Sequence, residues 1–290
     1  MNILILSRKR SLYSTKRLRE EGEKLGHRVE IVDPLKCVLL MSKGEPSLLV
    51  GGKEPRRPDA VLPRVGTAGM AYSVAVIRHL CLMGIPVVNR PEAIERAKNK
   101  LECLQILASR RIRVPDTLIS RYPRDLDKLM RLVGGPPLIL KLLRGTQGTG
   151  VIFAESKASV ESMLETIWSL GEDILIQRFI AEARGRDLRA LVIDGRVRAA
   201  MRRVGREGEF RSNIHRGGVG EPVKLSRDYE RIAIRAAAAV GLDLAGVDIL
   251  ESSGGPMVIE VNASPGFEGL EEALKTNVAK MFIEAAVRCA

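Results

Sequence analysis

The stretch that decides the fold occupies residues 246–266 and reads GVDILESSGGPMVIEVNASPG. Two apolar runs, at residues 247–250 and 257–261, flank a short segment of serine, glycine and proline. Turn-forming residues between two apolar runs predict a β-hairpin. We therefore expect two antiparallel strands near the end of the chain, and their polar side chains indicate what the hairpin can bind.

Several polar side chains in this hairpin can share one face. Because side chains of a strand alternate between its two faces, Val258, Glu260 and Asn262 are expected to point the same way. If the register brings Asp248 opposite Glu260, two carboxylates and a carboxamide lie together. Oxygen ligands of this kind suit Mg²⁺, which typically combines few carboxylates with waters and substrate phosphates. The alternative is an edge hairpin whose polar face is solvated.

The composition indicates partners that carry negative charge. The chain has 290 residues, of which 47 are basic and 35 acidic, so that its formal net charge is +12. A basic surplus favours phosphates, carboxylates or nucleic acid as partners. Aromatic residues make up only 3% of the chain, which is poor in the stacking platforms that single-strand binders use. We therefore expect small anions or an acidic polypeptide as ligands, and no direct contact with nucleic acid.

The cysteines and the hydropathy pattern argue against several classes of protein. The four cysteines are scattered without CxxC spacing, which speaks against a zinc site or a disulfide framework and favours a reducing cytoplasm. No run of about 18 apolar residues is present, so no membrane span is expected. The opening sequence, MNILILSRKR, becomes charged too early for a signal peptide and is typical of a first strand.

Residues 1–90 predict a small α/β layer. The predicted strands are 2–7, 29–32, 59–63 and 85–88, and the predicted helices are 12–25 and 71–83. The sequence Asn89-Arg90-Pro91 is a natural domain boundary at which a new helix begins. Residues 97–110 are predicted to continue as a helix that carries Lys100 off its apolar face, where a solvated lysine is the simplest interpretation.

A lysine inside a buried strand is the first sign of a phosphate site. Residues 137–142 predict a strand in which Lys141 lies among leucines and isoleucines, and burying an unpaired charge is costly. The next segment, 144–150, reads RGTQGTG and offers backbone N–H groups that can approach a phosphate closely. It is not a Walker A loop, because no GK[ST] follows. We predict a flap that covers phosphates, with a plain hairpin turn as the alternative.

The second half of the chain adds a basic loop to a set of further strands. A strand at 174–180 can line an adenine pocket or can simply belong to the core. Strands at 186–193 and 197–202 flank the turn signal Asp194-Gly195. Residues 198–216 interleave arginines with small polar residues, and arginine forks bind carboxylate and phosphate, although a solvated basic loop is the alternative. Helices are predicted at 159–170, 229–240, 267–273 and 278–289.

The strand lysine with its flap, the arginine-rich loop and the late D…ExN hairpin together resemble the ATP-grasp ligases. The resemblance is closest to the RimK family of amino-acid ligases, which add glutamate to the C-terminus of a ribosomal small-subunit protein. It extends from end to end in the strings SRKRSLYSTKRL, VLPRVGTA, GGPPLILKLLRGTQGTGV, GEFRSNIHRGG, LAGVDIL and VIEVNASPGFEG. The ExNxSPG string with an upstream aspartate, combined with FRSN…HRGG, is a specific signal.

The resemblance implies an α/β (α+β) chain with the ATP-grasp fold. A pre-ATP-grasp α/β domain would occupy residues 1–90, and the ATP-grasp domain residues 91–290. Within the latter, the central, ATP-lid part would lie at about 110–185 and the C-terminal catalytic part at about 186–290. A homo-oligomer, by resemblance a tetramer, and a cytoplasmic location are further expectations.

The same resemblance implies roles at the nucleotide. Lys141 would hold the phosphates, with Lys100 assisting, and Asp187 would take the ribose hydroxyls. Arg178 and Phe179 would border the adenine, mainly through backbone groups. One departure concerns Arg178, because family members usually carry an acidic residue there, and a side-chain role at this position would affect nucleotide affinity or base choice.

The reacting groups are implied in the same way. Arg211, with Ser212 and Asn213, would face the reacting phosphate and carboxylate. Two Mg²⁺ ions, for which Mn²⁺ can substitute, would be held by three residues, with the glutamate bridging: Asp248, Glu260 and Asn262. These residues predict transfer of the γ-phosphoryl group of ATP to a carboxylate, followed by attack of an amine on the acyl phosphate. The flap would exclude water from that intermediate.

The sequence therefore predicts an ATP- and Mg²⁺-dependent carboxylate–amine ligase that adds L-glutamate to a protein C-terminus, ribosomal or otherwise acidic. One rival is a sister ligase with another acceptor, such as a LysX-type enzyme acting on an acidic carrier protein or an enzyme that glutamylates a deazaflavin or pterin coenzyme. A rival from another class is a non-catalytic basic protein that docks on the ribosome.

Overall fold

The structure is a computed structural model that describes residues 1–120, 125–143, 150–183, 185–206 and 218–290. Its strands are β1 (Asn2–Leu6), β2 (Arg28–Val32), β3 (Cys37–Ser42), β4 (Glu45–Val50), β5 (Ala60–Pro63), β6 (Thr117–Ile119), β7 (Leu138–Leu142), β8 (Val151–Ala154), β9 (Ile174–Arg178), β10 (Arg186–Ile193), β11 (Arg196–Val204), β12 (Val219–Pro222), β13 (Leu244–Leu250) and β14 (Met257–Asn262). Its helices are α1 (Tyr13–Lys24), α2 (Met70–Leu82), α3 (Pro91–Lys98), α4 (Lys100–Ser109), α5 (Leu126–Leu132), α6 (Lys157–Ser169), α7 (Arg227–Val240), α8 (Glu268–Leu274) and α9 (Val278–Cys289).

The N-terminal part is built on a parallel sheet with the strand order β2-β1-β5. A fourth strand at residues 85–88 was predicted and is wrong, because only a single parallel bridge joins Val61 to Val87. Pro86 lacks the N–H that a longer ladder would need. The hairpin of β3 and β4, which the sequence analysis missed, packs beside α2.

Asn99 interrupts the helix that was predicted to run through residues 97–110. It adopts an extended conformation between α3 and α4, and its side chain accepts a hydrogen bond of 3.2 Å from the backbone N–H of Glu102. Asparagine is a preferred N-cap residue, so this interruption is a regular helix start. As a consequence, Lys98 ends one helix and Lys100 begins the next, and both lie next to β14, against which α3 and α4 pack.

The strands from β6 to β14 form two antiparallel sheets. The first has the order β6-β9-β7-β8, and α5 and α6 supply residues to its core. The second has the order β12-β11-β10-β13-β14. The predicted turn between β10 and β11 is confirmed, since Asp194 and Gly195 have φ angles of 50° and 68°, as a two-residue hairpin of this type requires.

The C-terminal helix α9 connects the larger antiparallel sheet with the N-terminal part. Phe282 is fully buried in a core that contains Leu191 and Leu244 from the sheet and Ile3 and Leu18 from the N-terminal part. Burying an apolar side chain of this size contributes about 1.5–3 kcal/mol. Within the described part of the chain, no helix is long and apolar enough to cross a membrane.

Asn89, at the predicted domain boundary, ties the two parts together. The residue is buried, with a φ of 67°. Its Nδ2 donates to the carbonyls of Leu244 and Ala263 at 2.7 and 2.9 Å, and its Oδ1 accepts from the N–H of Leu244 at 3.0 Å. Asparagine tolerates the left-handed backbone region better than most residues, so one side chain satisfies both the turn and the contact with β13.

Replacing Asn89 with alanine is expected to lower the free energy of unfolding by about 3 kcal/mol, because three buried hydrogen bonds are lost and alanine is strained at positive φ. Urea denaturation measures this change. Asn89→Gly removes the same hydrogen bonds without the backbone strain and should lose about 1 kcal/mol less. Unchanged stability in both variants would contradict the tie.

Candidate active site

The hairpin of β13 and β14 places three of the predicted ligands on one face. Asp248 pairs with Glu260 and Gly246 with Asn262, which is the register that the metal hypothesis required. A bulge at Ile259 brings Val258 opposite Ile249, on the core side of the sheet. The prediction that Val258 shares the polar face is therefore wrong, because the extra residue of a bulge reverses the alternation of side chains.

Asp248 is buried and bound by two arginines. Arg189 forms a bidentate ion pair with Asp248, in which Nε donates to Oδ1 and Nη2 donates to Oδ2, each at 2.7 Å. Nη2 of Arg203 lies 2.9 Å from Oδ2 of the same carboxylate. Burial alone would raise the pKa of Asp248, but the two guanidinium groups outweigh it and hold the pKa below its ordinary value. Asp248 is therefore ionised in its buried position.

A second aspartate completes this network. Both carboxylate oxygens of Asp187 accept hydrogen bonds of 2.6 Å from Arg203. Burial alone would lower the pKa of Arg203, but Asp248 and Asp187 raise it above its ordinary value. Charged groups are stable in a protein interior only when they are paired in this way. The predicted ribose role of Asp187 stays a prediction, and its carboxylate is held in place by Arg203.

The ion pairs of Arg189 and Arg203 with Asp248 were missed from the sequence, although a signal for them exists. Asp187 and Arg189 lie two residues apart on β10, where they share a face. Their cross-strand partners are Arg203 on β11 and Asp248 on β13. The alternation D-x-R near the start of a strand that ends in an apolar run is the pattern that points to them, but only the strand pairing shows which charges meet.

Lys141 and Lys100 lie beside the carboxylate face. Burial lowers the pKa of Lys141 to about 8, an effect that Glu260 opposes and Lys100 reinforces. Nζ of Lys100 donates to the carbonyl of Leu142 at 2.8 Å, directly after Lys141 in β7. Lys100 is thus half-buried and oriented, and the solvated lysine considered from the sequence alone is wrong. A third lysine, Lys98, was missed. Burial lowers its pKa below the ordinary value, and the charge of Glu260 opposes this shift only in part.

The predicted adenine residues lie at the end of β9, in the smaller antiparallel sheet. Arg178 is exposed, with Nη1 3.5 Å from Oδ2 of Asp116, and its backbone N–H donates to the Asp116 carbonyl at 2.8 Å. The ring of Phe179 meets that of Phe153 edge-on at 4.8 Å between centroids. Because the side chain of Arg178 is exposed, the structure is compatible with the prediction that this residue contacts adenine through its backbone. The adenine role of Arg178 and Phe179 stays a prediction.

The remaining predicted residues lie outside the described part of the chain. They are Arg211, Ser212, Asn213 and, apart from Gly150, the glycine-rich flap at 144–150. Their roles stay predictions. The described residues alone bring together β7, α4, β10, β11 and the β13–β14 hairpin around one set of charges.

The donor set suits Mg²⁺. A carboxylate has about four lone-pair sites, and the contacts of Asp248 with Arg189 and Arg203 leave one site on Oδ1. Glu260 is exposed, and the amide of Asn262 is partly buried with Nδ2 lacking a hydrogen-bond partner. No cluster of three or more histidine, cysteine, aspartate or glutamate side chains suited to a metal occurs among the described residues. Such a site needs further oxygen ligands, which nucleotide phosphates can provide.

Comparison with known proteins covers nearly the whole chain. The RimK PreATP-grasp domain matches residues 1–94 and the RimK-like ATP-grasp domain residues 97–286. The chain is similar to a probable alpha-L-glutamate ligase of Thioalkalivibrio sulfidiphilus (strain HL-EbGR7), with 48% identity over 96% of this chain and 93% of the relative.

Solved structures show the same architecture. The ATP-grasp ligase PsnB complexed with minimal precursor has a TM-score of 0.79 and 23% identity, covering 100% of this chain and 99% of PsnB. PsnB complexed with minimal precursor, Mg and ADP has a TM-score of 0.77 and 22% identity, covering 99% and 97%. The predicted ATP-grasp fold with a pre-ATP-grasp domain is confirmed, while the predicted residue boundaries of the domains stay predictions.

Replacing Lys141 with methionine is expected to raise the free energy of unfolding by about 1–3 kcal/mol at pH 7 while reducing ATP turnover. The pKa in the folded protein, about 8, lies below the ordinary 10.5, so the cost of burying the charge is full below pH 8 and is relieved as the pH rises towards 10.5. Urea denaturation at pH 7 and at pH 10 measures the difference. The exposed Lys128→Met should change stability by less than about 0.5 kcal/mol.

Asp248→Ala and Glu260→Ala are expected to separate stability from activity. Removing Asp248 leaves Arg189 without its carboxylate partner, while Arg203 keeps Asp187. One buried positive charge is then uncompensated, which should lower the free energy of unfolding by about 3–5 kcal/mol. Removing the exposed Glu260 should cost about 1 kcal/mol or less. Both variants should lose ADP release from ATP. Equal loss of stability in the two variants, or unchanged turnover in Glu260→Ala, would contradict this assignment.

Proposed function

The chain belongs to the RimK family of ATP-grasp ligases, and on that premise we propose that it adds L-glutamate to the C-terminus of a protein through an acyl-phosphate intermediate. The observation that carries this proposal is the convergence of Lys141 and Lys100 with the carboxylate face of Asp248 and Glu260. The choice of glutamate rests on the relatives, which are named for that amino acid.

The first chemical step needs a carboxylate to attack the γ-phosphorus of ATP. Lys141 and Lys100 would neutralise phosphate charge from the side of β7, where both side chains are partly buried. Mg²⁺ bound by Asp248, Glu260 and Asn262 would supply further charge neutralisation for the transferring group. Arg189 and Arg203 would act as positioning residues, because they hold Asp248 ionised and in one orientation.

The second step joins the amino group to the activated carboxyl group. The amine of glutamate attacks the acyl carbon, the C–O bond to phosphate breaks, and the amine loses a proton. Arg211, Ser212 and Asn213 are proposed to face this centre, where Arg211 would stabilise the negative charge of the tetrahedral species. The glycine-rich flap at 144–150 would exclude the water that otherwise hydrolyses the acyl phosphate.

A polypeptide acceptor is supported by two observations. The chain carries a formal charge of +12, which suits an acceptor and a product rich in carboxylates. Solved structures of the same fold are complexed with a precursor peptide. The ribosomal acceptor, the number of Mg²⁺ ions, the use of Mn²⁺, the tetramer and the cytoplasmic location stay predictions.

The proposal is tested by incubating the protein with ATP, Mg²⁺, L-glutamate and a set of acceptors: ribosomal small-subunit proteins, an acidic carrier protein and a pterin coenzyme. We expect glutamate-dependent ADP release and mass steps of one glutamyl unit on a protein C-terminus, with hydroxylamine trapping the acyl phosphate. Modification of the carrier protein or the coenzyme alone would transfer the assignment to a sister ligase. No ADP with any amino acid and acceptor would contradict all ligase assignments.

A further inference from the structure

Arg64 lies where two parallel strands of the N-terminal part end. It directly follows β5, and its backbone N–H donates to the carbonyl of Leu6, the last residue of β1, at 2.8 Å. In α/β sheets, ligands bind outside the carboxyl ends of the parallel strands. Arg64 therefore occupies a position at which a side chain of the N-terminal part can contribute to a ligand site.

The guanidinium group of Arg64 has fewer acceptors than donors. Its Nη2 donates to the carbonyl of Pro265 at 2.8 Å, while Nε and Nη1 are buried and find no hydrogen-bond acceptor in the structure as described. The rings of Phe267 and Phe282 lie 5.8 and 5.4 Å from Cζ. Burial lowers the pKa of Arg64 to about 10. Burying a charged guanidinium group costs free energy unless a group of opposite charge accepts its hydrogen bonds.

Two further residues, Lys98 and Asn262, add donors near Arg64. Lys98 lies in electrostatic range of both Arg64 and Glu260, and the charge of Arg64 contributes to lowering its pKa. Nδ2 of Asn262, three residues before Pro265, is a further buried donor without a partner. Glu260 acts on Lys98, whereas no carboxylate among the described residues pairs with Arg64, and its unpaired donors indicate an anionic ligand.

The two sets of cations lie on different elements. Lys141 and Lys100 belong to β7 and the start of α4, whereas Arg64 and Lys98 belong to the end of β5 and the end of α3. Glu260 is in electrostatic range of Lys98, Lys100 and Lys141, so it lies between the phosphate side and the Arg64 side. On the proposed function, the nucleotide would bind the first set of cations, which leaves Arg64 and Lys98 free for another ligand.

We propose that Arg64, assisted by Lys98, binds a carboxylate of the amino-acid substrate. This inference rests on the proposed function, because glutamate carries two carboxylates that need cationic partners while its amino group must stay free to attack. Arg64 is partly exposed as a residue, and the anion would bind at Nε and Nη1, which are buried and have no other acceptor in the described part of the chain. The guanidinium fork matches a carboxylate in shape, and Lys98 adds a point charge.

The test is steady-state kinetics with ATP, Mg²⁺, L-glutamate and the acceptor that the wild type uses. Arg64→Ala should raise the KM for glutamate by about 10- to 100-fold, and Lys98→Met by about 3- to 10-fold, with the KM for ATP unchanged. Arg64→Lys keeps the charge without the fork and should show an intermediate rise. The matched control is Arg57→Ala, since Arg57 also donates to one backbone carbonyl, that of Met83 at 3.0 Å, but on the surface.

Substrate analogues identify the carboxylate. If Arg64 binds the side-chain carboxylate, Arg64→Ala reduces the preference for glutamate over glutamine. If Arg64 binds the α-carboxylate, the KM rises equally for both amino acids. Either result supports the pocket. An unchanged KM for glutamate in Arg64→Lys and Lys98→Met, or an equal rise in the KM for ATP, would overturn it even if Arg64→Ala fails to fold. Absence of wild-type turnover with any amino acid would instead overturn the proposed function and this pocket together.

Discussion

The candidate site depends on the charge balance around Asp248. This carboxylate is almost completely buried, and an unpaired charge there would be expelled or neutralised. Arg189 and Arg203 prevent both outcomes, and Asp187 in turn compensates Arg203. Because the four residues come from three adjacent strands, the network links β10, β11 and β13 at the point where the predicted metal ligands lie.

This network also explains why two carboxylates on one face behave differently. Asp248 is inside the sheet and fixed by two guanidinium groups, whereas Glu260, directly opposite on β14, is exposed. A rigid ligand next to a free one is a suitable arrangement for a cation that arrives with its substrate, since the free ligand can adjust to the incoming phosphates. Burial lowers the pKa of Lys141 and of Lys100, and the charge of Glu260 opposes this shift. An anion bound between the two lysines would compensate the cost of burying their charge.

Contacts between the two parts of the chain reach the candidate site. Asn89 ties the end of the N-terminal part to β13 and to the loop after β14, and Arg64 reaches the same loop at Pro265. Both contacts involve the segment that follows Asn262, a predicted metal ligand. A shift of the N-terminal part would therefore move the loop next to the predicted ligands, which couples the packing of the two parts to the geometry of the candidate site.

The sequence by itself determined the elements and the chemistry of the ligands. The Asp194-Gly195 turn and the D…ExN pattern were local signals, so the β10–β11 and β13–β14 hairpins were predictable, whereas the hairpin of β3 and β4 was missed. The pairing of Asp248 with Glu260 could be stated from the sequence only as a condition on the register. Only the tertiary structure decided that Val258 turns inward and that Arg189 and Arg203 bind Asp248. The cap at Asn99, which accepts from the backbone N–H of Glu102, is by contrast a local signal that was missed. Bulges and buried ion pairs depend on neighbours distant in sequence, and a single strand or helix carries no record of which charge it will meet.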